Sequence, residues 1–188
     1  MTGQNNLPFL LFRVRDELYA VSCGSVREIV MMGRYHQVGS LHFEGSNDYR
    51  IAEEALALTD TLPFAGRLIN ELSGGERQRV LIARALAQQA NIMLLDEATA
   101  FLDIKYQLAL FELIKTLHQE KGLTVLVVTH EINLAAQYAD RVVLLHGGKV
   151  HSLGKPAEVI TEKNIREVYE ADVLVDQNPR TGSPRITL

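Results

Sequence analysis

The sequence predicts an α/β fold with a mainly parallel sheet and a helical segment ahead of it. Three observations carry this expectation. Ile92-Met93-Leu94-Leu95 is a continuous apolar run that closes on Asp96-Glu97, as expected of a strand buried on both faces of a parallel sheet. A second, β-branched run from Leu123 to Thr129 closes on His130 in the same way. Between them, Leu110, Phe111, Ile114 and Leu117 recur at helical spacing. Strand, helix, strand is the pattern that parallel pairing requires.

The elements follow in chain order. Leu7-Pro8-Phe9-Leu10-Leu11-Phe12 is apolar but short, lacks a preceding Lys or Arg, and is interrupted by Arg13, Arg15, Asp16 and Glu17. It reads as a strand or an irregular start and makes a poor export signal. Val26 to Met32 begins a helical region, and Gly39 to Asn47 reads as a loop. Asp48 to Leu58 has helical spacing in Ile51, Ala55 and Leu58, with Asp48 near the cap. Pro63 to Ile69 reads as a short helix. A helix opens after Ser73, with Val80, Leu81, Ala83, Leu86 and Ala87 as its docking face. From Asn91 strands and helices alternate, and a helix from Asp103 to Lys121 stops at Gly122. Val142 to Leu145 and Lys149 to Ser152 flank Gly147-Gly148, a two-residue hairpin signal. Pro156 suits the first turn of a short helix. Thr161 caps another, with Ile165, Val168 and Tyr169 as its stripe, and the tail from Asp176 to Leu188 reads as extended.

Two places suit phosphate chemistry. Ser73 is an N-cap residue, and Glu76 closes a capping box. Gly74 and Gly75 leave the backbone N–H groups open to a ligand, at a helix end that favours anions. Arg77, Arg79 and Arg84 add positive charge. A plain capped helix is the bland alternative, although it does not need two glycines, each costing ~1 kcal/mol against Ala in a helix interior. The second place is the end of the 92–95 strand, because ligands of open α/β sheets bind at the carboxyl ends of strands. There Asp96 can hold Mg²⁺ and Glu97 can polarise a water. A solvated acidic turn is the alternative. His130, at the end of the next strand, can hydrogen-bond a phosphate, where a structural histidine is the alternative.

The ordered set Leu-Ser-Gly-Gly-Glu (72–76), Leu-Leu-Asp-Glu (94–97), Phe-Leu-Asp (101–103) and Thr-His-Glu (129–131) resembles the ATP-binding-cassette (ABC) ATPases. The likeness covers roughly residues 25 to 175. It implies a P-loop-NTPase-like core, with ATP and Mg²⁺ as cofactors. Asp96 would be the metal ligand, Glu97 the catalytic base and His130 the switch histidine. Asp103 would belong to the loop that communicates across a dimer. Ser73, Gly74, Gly75 and Glu76 would face the ATP held by an opposing subunit. Val26 to Tyr35, Leu102-Asp103-Ile104 and His130 to Ala136 resemble importers of iron–siderophore complexes, haem and vitamin B12. The implied partners are a second ATPase subunit in a head-to-tail dimer, membrane-spanning permease subunits and, indirectly, a substrate-binding protein. The implied place is the cytoplasmic side of the cell membrane.

Departures from the family pattern are specific. No Gly-x-x-x-x-Gly-Lys-[Ser/Thr] phosphate loop occurs in the 188 residues, and Gly148-Lys149 and Gly154-Lys155 lack its other elements. Residues 7 to 25 contain no glutamine to match the family's Q-loop. The expected division is 1–24 as a non-family segment, 25–90 as a helical subdomain with the signature helix, and 91–188 as the α/β core and C-terminal segment. The expected reading is a cassette truncated before its phosphate loop, lacking the N-terminal β-subdomain and hydrolysing ATP poorly alone.

Composition narrows the classes. A chain of 188 residues fits one domain with a good core. A net charge of -4 argues against nucleic acid as a partner. The lone Cys23 cannot form an internal disulfide, in keeping with a reducing compartment. No apolar run approaches the ~20 residues that span a bilayer. Two further functions compete with an importer ATPase. One is a non-catalytic regulatory partner lending its signature helix to an intact ATPase. The other is an ATPase of DNA repair or chromosome maintenance, disfavoured by the acidic balance and the lack of coiled-coil arms.

Overall fold

A computed structural model describes residues 9–14, 17–22, 24–35, 45–99 and 102–187, with only the backbone described for 9–22. Two strands, β1 (Phe9–Val14) and β2 (Glu17–Ser22), form an antiparallel hairpin. Helix α1 (Val26–Met31) follows, capped by Ser25 and Glu28, and tightens into a 3-10 turn over Met32–Arg34. Residues 36–44, most of the expected 39–47 loop, lie outside the described residues, while Ser46 and Asn47 are already helical. Helix α2 (Ser46–Leu58) begins two residues ahead of expectation, because the Asp48 carboxylate accepts from the Gly45 N–H at 3.1 Å.

The helix expected over 63–69 does not form. Two 3-10 turns, Leu62–Phe64 and Ile69–Glu71, stand there instead. Leu68 is extended between them and pairs with Ser25, so the strand-like bridge overrides local helical preference. Helix α3 (Gly74–Ala87) buries Val80, Ile82, Ala83 and Ala87. Leu81, expected in that face, is 46 % exposed, and the buried place belongs to Ile82.

Strands β3 (Ile92–Asp96) and β4 (Thr124–Val128) pair in parallel around α4 (Ile104–Lys121). Gly122 ends α4 at φ 65°, as its position implied. Helix α5 (Ile132–Tyr138) leads to the hairpin β5 (Val142–His146) and β6 (Lys149–Gly154). Its turn, Gly147-Gly148, has positive φ at both residues, a conformation that glycine supplies at little steric cost. Helix α6 (Pro156–Val159) and α7 (Glu162–Tyr169, capped by Thr161) follow, and β7 (Leu174–Gln177) pairs antiparallel with β8 (Pro184–Thr187).

The α/β class stands. Parallel pairing is confined, among the described residues, to β3 and β4, and the other three pairs are antiparallel. Two clusters of buried side chains hold the fold. Val26, Val30, Leu56, Val80 and Ala83 anchor one among α1, α2 and α3. Ile82, Met93, Leu95, Leu110 and Leu117 anchor the other beneath β3 and β4. Helix α3 contributes to both, through alternate positions on its surface.

Burial on both faces of β3 and β4 does not hold. Met93 and Leu95 are buried against α4, whereas Ile92, Leu94, Leu126 and Val128 are 61, 71, 53 and 54 % exposed. These four share one face by register, Ile92 beside Thr124, Leu94 beside Leu126 and Asp96 beside Val128. No described element covers that face. Continuous apolar sequence therefore reports one buried face and one open one.

Candidate functional site

The turn at Ser73 is built as a reciprocal cap. Ser73 Oγ accepts the Glu76 N–H at 3.4 Å and donates to Glu76 Oε2 at 2.7 Å. The Ser73 N–H also donates to Glu76 Oε2, at 2.8 Å. The Ser73 hydroxyl bond, then its N–H bond, hold the Glu76 carboxyl below its ordinary range, against a smaller opposing effect of burial. Arg77 braces the turn from behind by donating Nε to the Leu72 carbonyl at 2.9 Å. Arg79 pairs with Asp60 at 3.6 Å. Arg84 does not add charge here, because it lies in the last turn of α3.

The two glycines divide their work. A Cβ on Gly74 would find Leu102 Cδ2 at 3.8 Å, an ordinary contact, so this position is open. A Cβ on Gly75 would meet Tyr106 Cδ1 at 2.6 Å and Cγ at 2.9 Å. Gly75 is glycine because α4 packs against it. Openness to a ligand at this turn therefore belongs to Gly74.

Tyr106 sits in the first turn of α4, whose N-cap is Asp103. The Asp103 carboxylate accepts the Tyr106 N–H at 3.1 Å. The Ser73 and Asp103 turns thus form one packed corner. Phe101 lies outside the described residues.

Asp96, Glu97 and His130 gather at the carboxyl edge of the parallel pair. Asp96 is the last residue of β3, exposed on the open face. Glu97 follows at φ 45°, and its N–H donates to the Val128 carbonyl at 2.9 Å. Asp60, Gln89 and Glu170, the other non-glycine residues with positive φ, come just after helices, whereas Glu97 sits at a strand end. Left-handed backbone at a β-strand edge is costly for a side-chain-bearing residue. Among the described residues, neither the Asp96 nor the Glu97 carboxylate has a hydrogen bond or ion pair. His130 is exposed in the turn between β4 and α5, with its Nε2 3.5 Å from Glu131. The Glu131 N–H donates to Thr129 Oγ1 at 3.0 Å, which shapes that turn. No hydrogen bond or ion pair joins this edge to the Ser73 corner among the described residues.

No group of three His, Cys, Asp or Glu side chains gathers as a metal nest among the described residues. A lone accessible carboxylate such as Asp96 suits Mg²⁺, which keeps several waters and takes its remaining ligands from phosphate oxygens. An open cleft of about 510 Å³ lies between the 157–163 segment and the β7–β8 hairpin, and none of its lining residues belongs to the candidate site. No helix among the described residues is long and apolar enough to cross a membrane.

Sequence reasoning did not find Tyr106. Tyr106 lies three residues after the Asp103 cap, but nothing local announces its contact with Gly75, 31 positions earlier. Thr129 was legible as the end of a β-branched run and the first residue of the Thr-His-Glu motif, but not as the acceptor of the Glu131 N–H.

The family model described as ABC transporter matches residues 4–100, beginning inside the segment set apart as 1–24. The cobalamin import ATP-binding protein BtuD of Halobacterium salinarum is 40 % identical over 163 residues, 87 % of this chain and 40 % of that protein. The hemin import ATP-binding protein HmuV of Streptomyces coelicolor is 44 % identical over 162 residues, 85 % of this chain and 56 % of that protein. The chain thus spans about half the length of such relatives. Among solved structures, one described as an inward-facing, metal-chelate type ABC transporter matches with a TM-score of 0.80 and 30 % identity, over 93 % of this chain and 67 % of that one. The dimeric cassette MJ0796 with ADP and Pi matches with a TM-score of 0.59 and 36 % identity, over 70 % of this chain and 56 % of that one. On sequence and on fold alike, the chain belongs to the ABC transporter family.

Proposed function

We propose that this chain is an ATP-binding subunit of an ABC importer for a metal-chelate or corrinoid cargo, an iron–siderophore, haem or cobalamin. The observation that carries the reading is the edge of the β3–β4 pair, where the Asp96 and Glu97 carboxylates, without a partner among the described residues, lie beside the His130 turn. The names of the relatives support the cargo class, since they are import proteins for cobalamin, hemin and petrobactin. The dimeric MJ0796 structures support a second ATPase subunit as partner. Membrane-spanning permease subunits and an inner-face location belong to the same reading, with a substrate-binding protein linked indirectly.

In this reading Asp96 would hold hydrated Mg²⁺, and Glu97 would take a proton from the attacking water at its carboxylate. His130 donates a hydrogen bond to a terminal phosphate oxygen. The Gly74 N–H and the Ser73 hydroxyl face the nucleotide of the opposing subunit, at the positive end of α3. MgATP, when bound, supplies the phosphoanhydride whose cleavage drives the cycle.

A second reading has its own observation, the lack of a Gly-x-x-x-x-Gly-Lys-[Ser/Thr] loop in these 188 residues. The backbone cradle and lysine of that loop hold the β- and γ-phosphates. The chain would then lend its signature helix to an intact ATPase without turning over ATP itself. Phosphate release tests both readings. The pure chain is mixed with an importer ATPase that keeps its phosphate loop but carries a Ser→Arg signature. Hydrolysis should rise on mixing and fall back with Ser73→Arg. Retention with Glu97→Gln in that mixture selects the lending role, whereas hydrolysis in a second mixture, with a partner whose signature is intact but whose own catalytic Glu is Gln, lost with Glu97→Gln, assigns catalysis to this chain. No rise in any mixture overturns both.

A further inference from the structure

The β7–β8 hairpin is gripped on both outer edges by helix side chains. On β8, Asn133 Nδ2 donates to the Ile186 carbonyl at 3.1 Å, and the Ile186 N–H donates to Asn133 Oδ1 at 2.8 Å. On β7, the Val175 N–H donates to Glu162 Oε1 at 3.2 Å, from the first residue of α7. Val175 and Ile186 face each other across the hairpin, so both grips fall on one rung. Arg185 ties the next rung, donating to the two Asp176 oxygens at 2.9 and 2.6 Å.

Asn133 is the second residue of α5, three positions after His130. At its far end α5 is pinned to α4, where the Tyr138 hydroxyl donates to Glu112 Oε1 at 2.7 Å and the Tyr138 ring stacks on Phe111 at 5.3 Å. His130 is 63 % exposed, and its one ionic partner among the described residues is Glu131. Packing does not hold the imidazole. Its position follows the 129–132 backbone, which is fixed by Glu131 N–H to Thr129 Oγ1 and by Ile132 N–H to the His130 carbonyl at 3.0 Å. The start of α5 is the rigid side of that turn, and Asn133 anchors it.

We propose that Asn133 is a positioning residue for His130 and that the β7–β8 hairpin is the clamp it works through. The proposal rests on the reading of His130 as a phosphate-sensing group. An amide matched to both polar groups of one backbone residue fixes orientation as well as distance, so the hairpin sets the pitch of the turn that carries the imidazole.

The test uses the full chain without nucleotide, reading the His130 ring resonances and amide exchange by NMR. Asn133→Ala removes both bonds. Asn133→Asp keeps the acceptor and loses the donor. Asp176→Ala loosens the hairpin without touching α5. Asn133→Ala should shift the His130 resonances and speed exchange at Ala135 about ten-fold, leaving α3 amides unchanged. Asn133→Asp should give a smaller shift in the same direction, and so should Asp176→Ala. Unmoved His130 resonances in Asn133→Ala, with faster exchange in the hairpin, would reduce Asn133 to a structural tie and overturn the proposal. A shift with Asn133→Ala but none with Asp176→Ala, despite faster hairpin exchange, would overturn the clamp. Mg²⁺ and ATP are then added to the unmodified chain with the partner ATPase. A static His130 there would defeat the sensor reading and leave the clamp standing.

Discussion

Replacing Gly75 by alanine tests whether packing, rather than ligand approach, demands glycine at the second position of α3. The new methyl would stand 2.6 Å from Tyr106 Cδ1 and 2.9 Å from Cγ. Cγ is the root of the ring, so relief needs the whole side chain to swing or α4 to shift. Overpacking of this kind costs about 1–3 kcal/mol. Gly74→Ala is the internal control, since its methyl meets nothing nearer than Leu102 Cδ2 at 3.8 Å. Both substitutions lie in the first turn of one helix, so the propensity gain of up to about 1 kcal/mol largely cancels between them. The difference should be about 2 kcal/mol, and at this size 1 kcal/mol moves a melting temperature by about 2–4 °C. Gly75→Ala is therefore expected to melt about 4–8 °C below Gly74→Ala by circular dichroism. Tyr106→Ala should erase the difference. Equal melting of the two alanine variants would refute the reasoning.

Other outcomes follow from the same geometry. Glu97→Gly should hold stability in thermal melting or raise it by up to about 1 kcal/mol, because it relieves the φ of 45°. A clear drop would mean that the side chain stabilises the strand edge. Arg34 is 3 % exposed and donates to Asp48 at 3.0 Å and to the Ala87 carbonyl at 2.7 Å. Arg34→Ala should cost about 1–3 kcal/mol in denaturant unfolding, since it leaves the Ala87 carbonyl without this buried donor. Ser73→Ala should cost about 1 kcal/mol through the lost cap. Folding depresses the Glu76, Asp48 and Asp176 carboxyls, through Ser73, Gly45 and Arg185 respectively. Their stabilisation is thus complete above the ordinary carboxylate range and lost as pH falls through and below it. Acid titration of unfolding should show that loss, with a smaller Glu76 share in Ser73→Ala.

What was legible in the sequence was local. Gly122, Gly147-Gly148, Pro156 and the Ser73–Glu76 pair act over at most a few residues, and each sits where its chemistry put it. The gathering of Asp96, Glu97 and His130 was legible too, because two strands with the same ending must bring those endings together when they pair in parallel. The distant contacts were not. Leu81 and Ile82 are equally apolar, and only the placement of β3 decides which is buried. The Pro63–Ile69 turn yields to a bridge with Ser25, more than 40 positions away. Nor could the run Ile92 to Leu95 disclose that one of its faces is open.

The mixture of pairings described for the strands has a consequence in time. The β5–β6 hairpin closes over two residues, whereas Ile92 meets Thr124 only after 32 positions of chain. Loop-closure entropy makes the longer closure dearer by about 2.5 kcal/mol. The hairpins should therefore form early and β3–β4 late, with α4 as the intermediary that shortens the search. Until that step the carboxyl edge does not exist, because Glu97 has no Val128 carbonyl to lean on. In pulse-labelled refolding, protection at Glu97 should rise with that of β4 and after that of β5 and β6. The candidate chemistry would then be among the last features of the chain to mature.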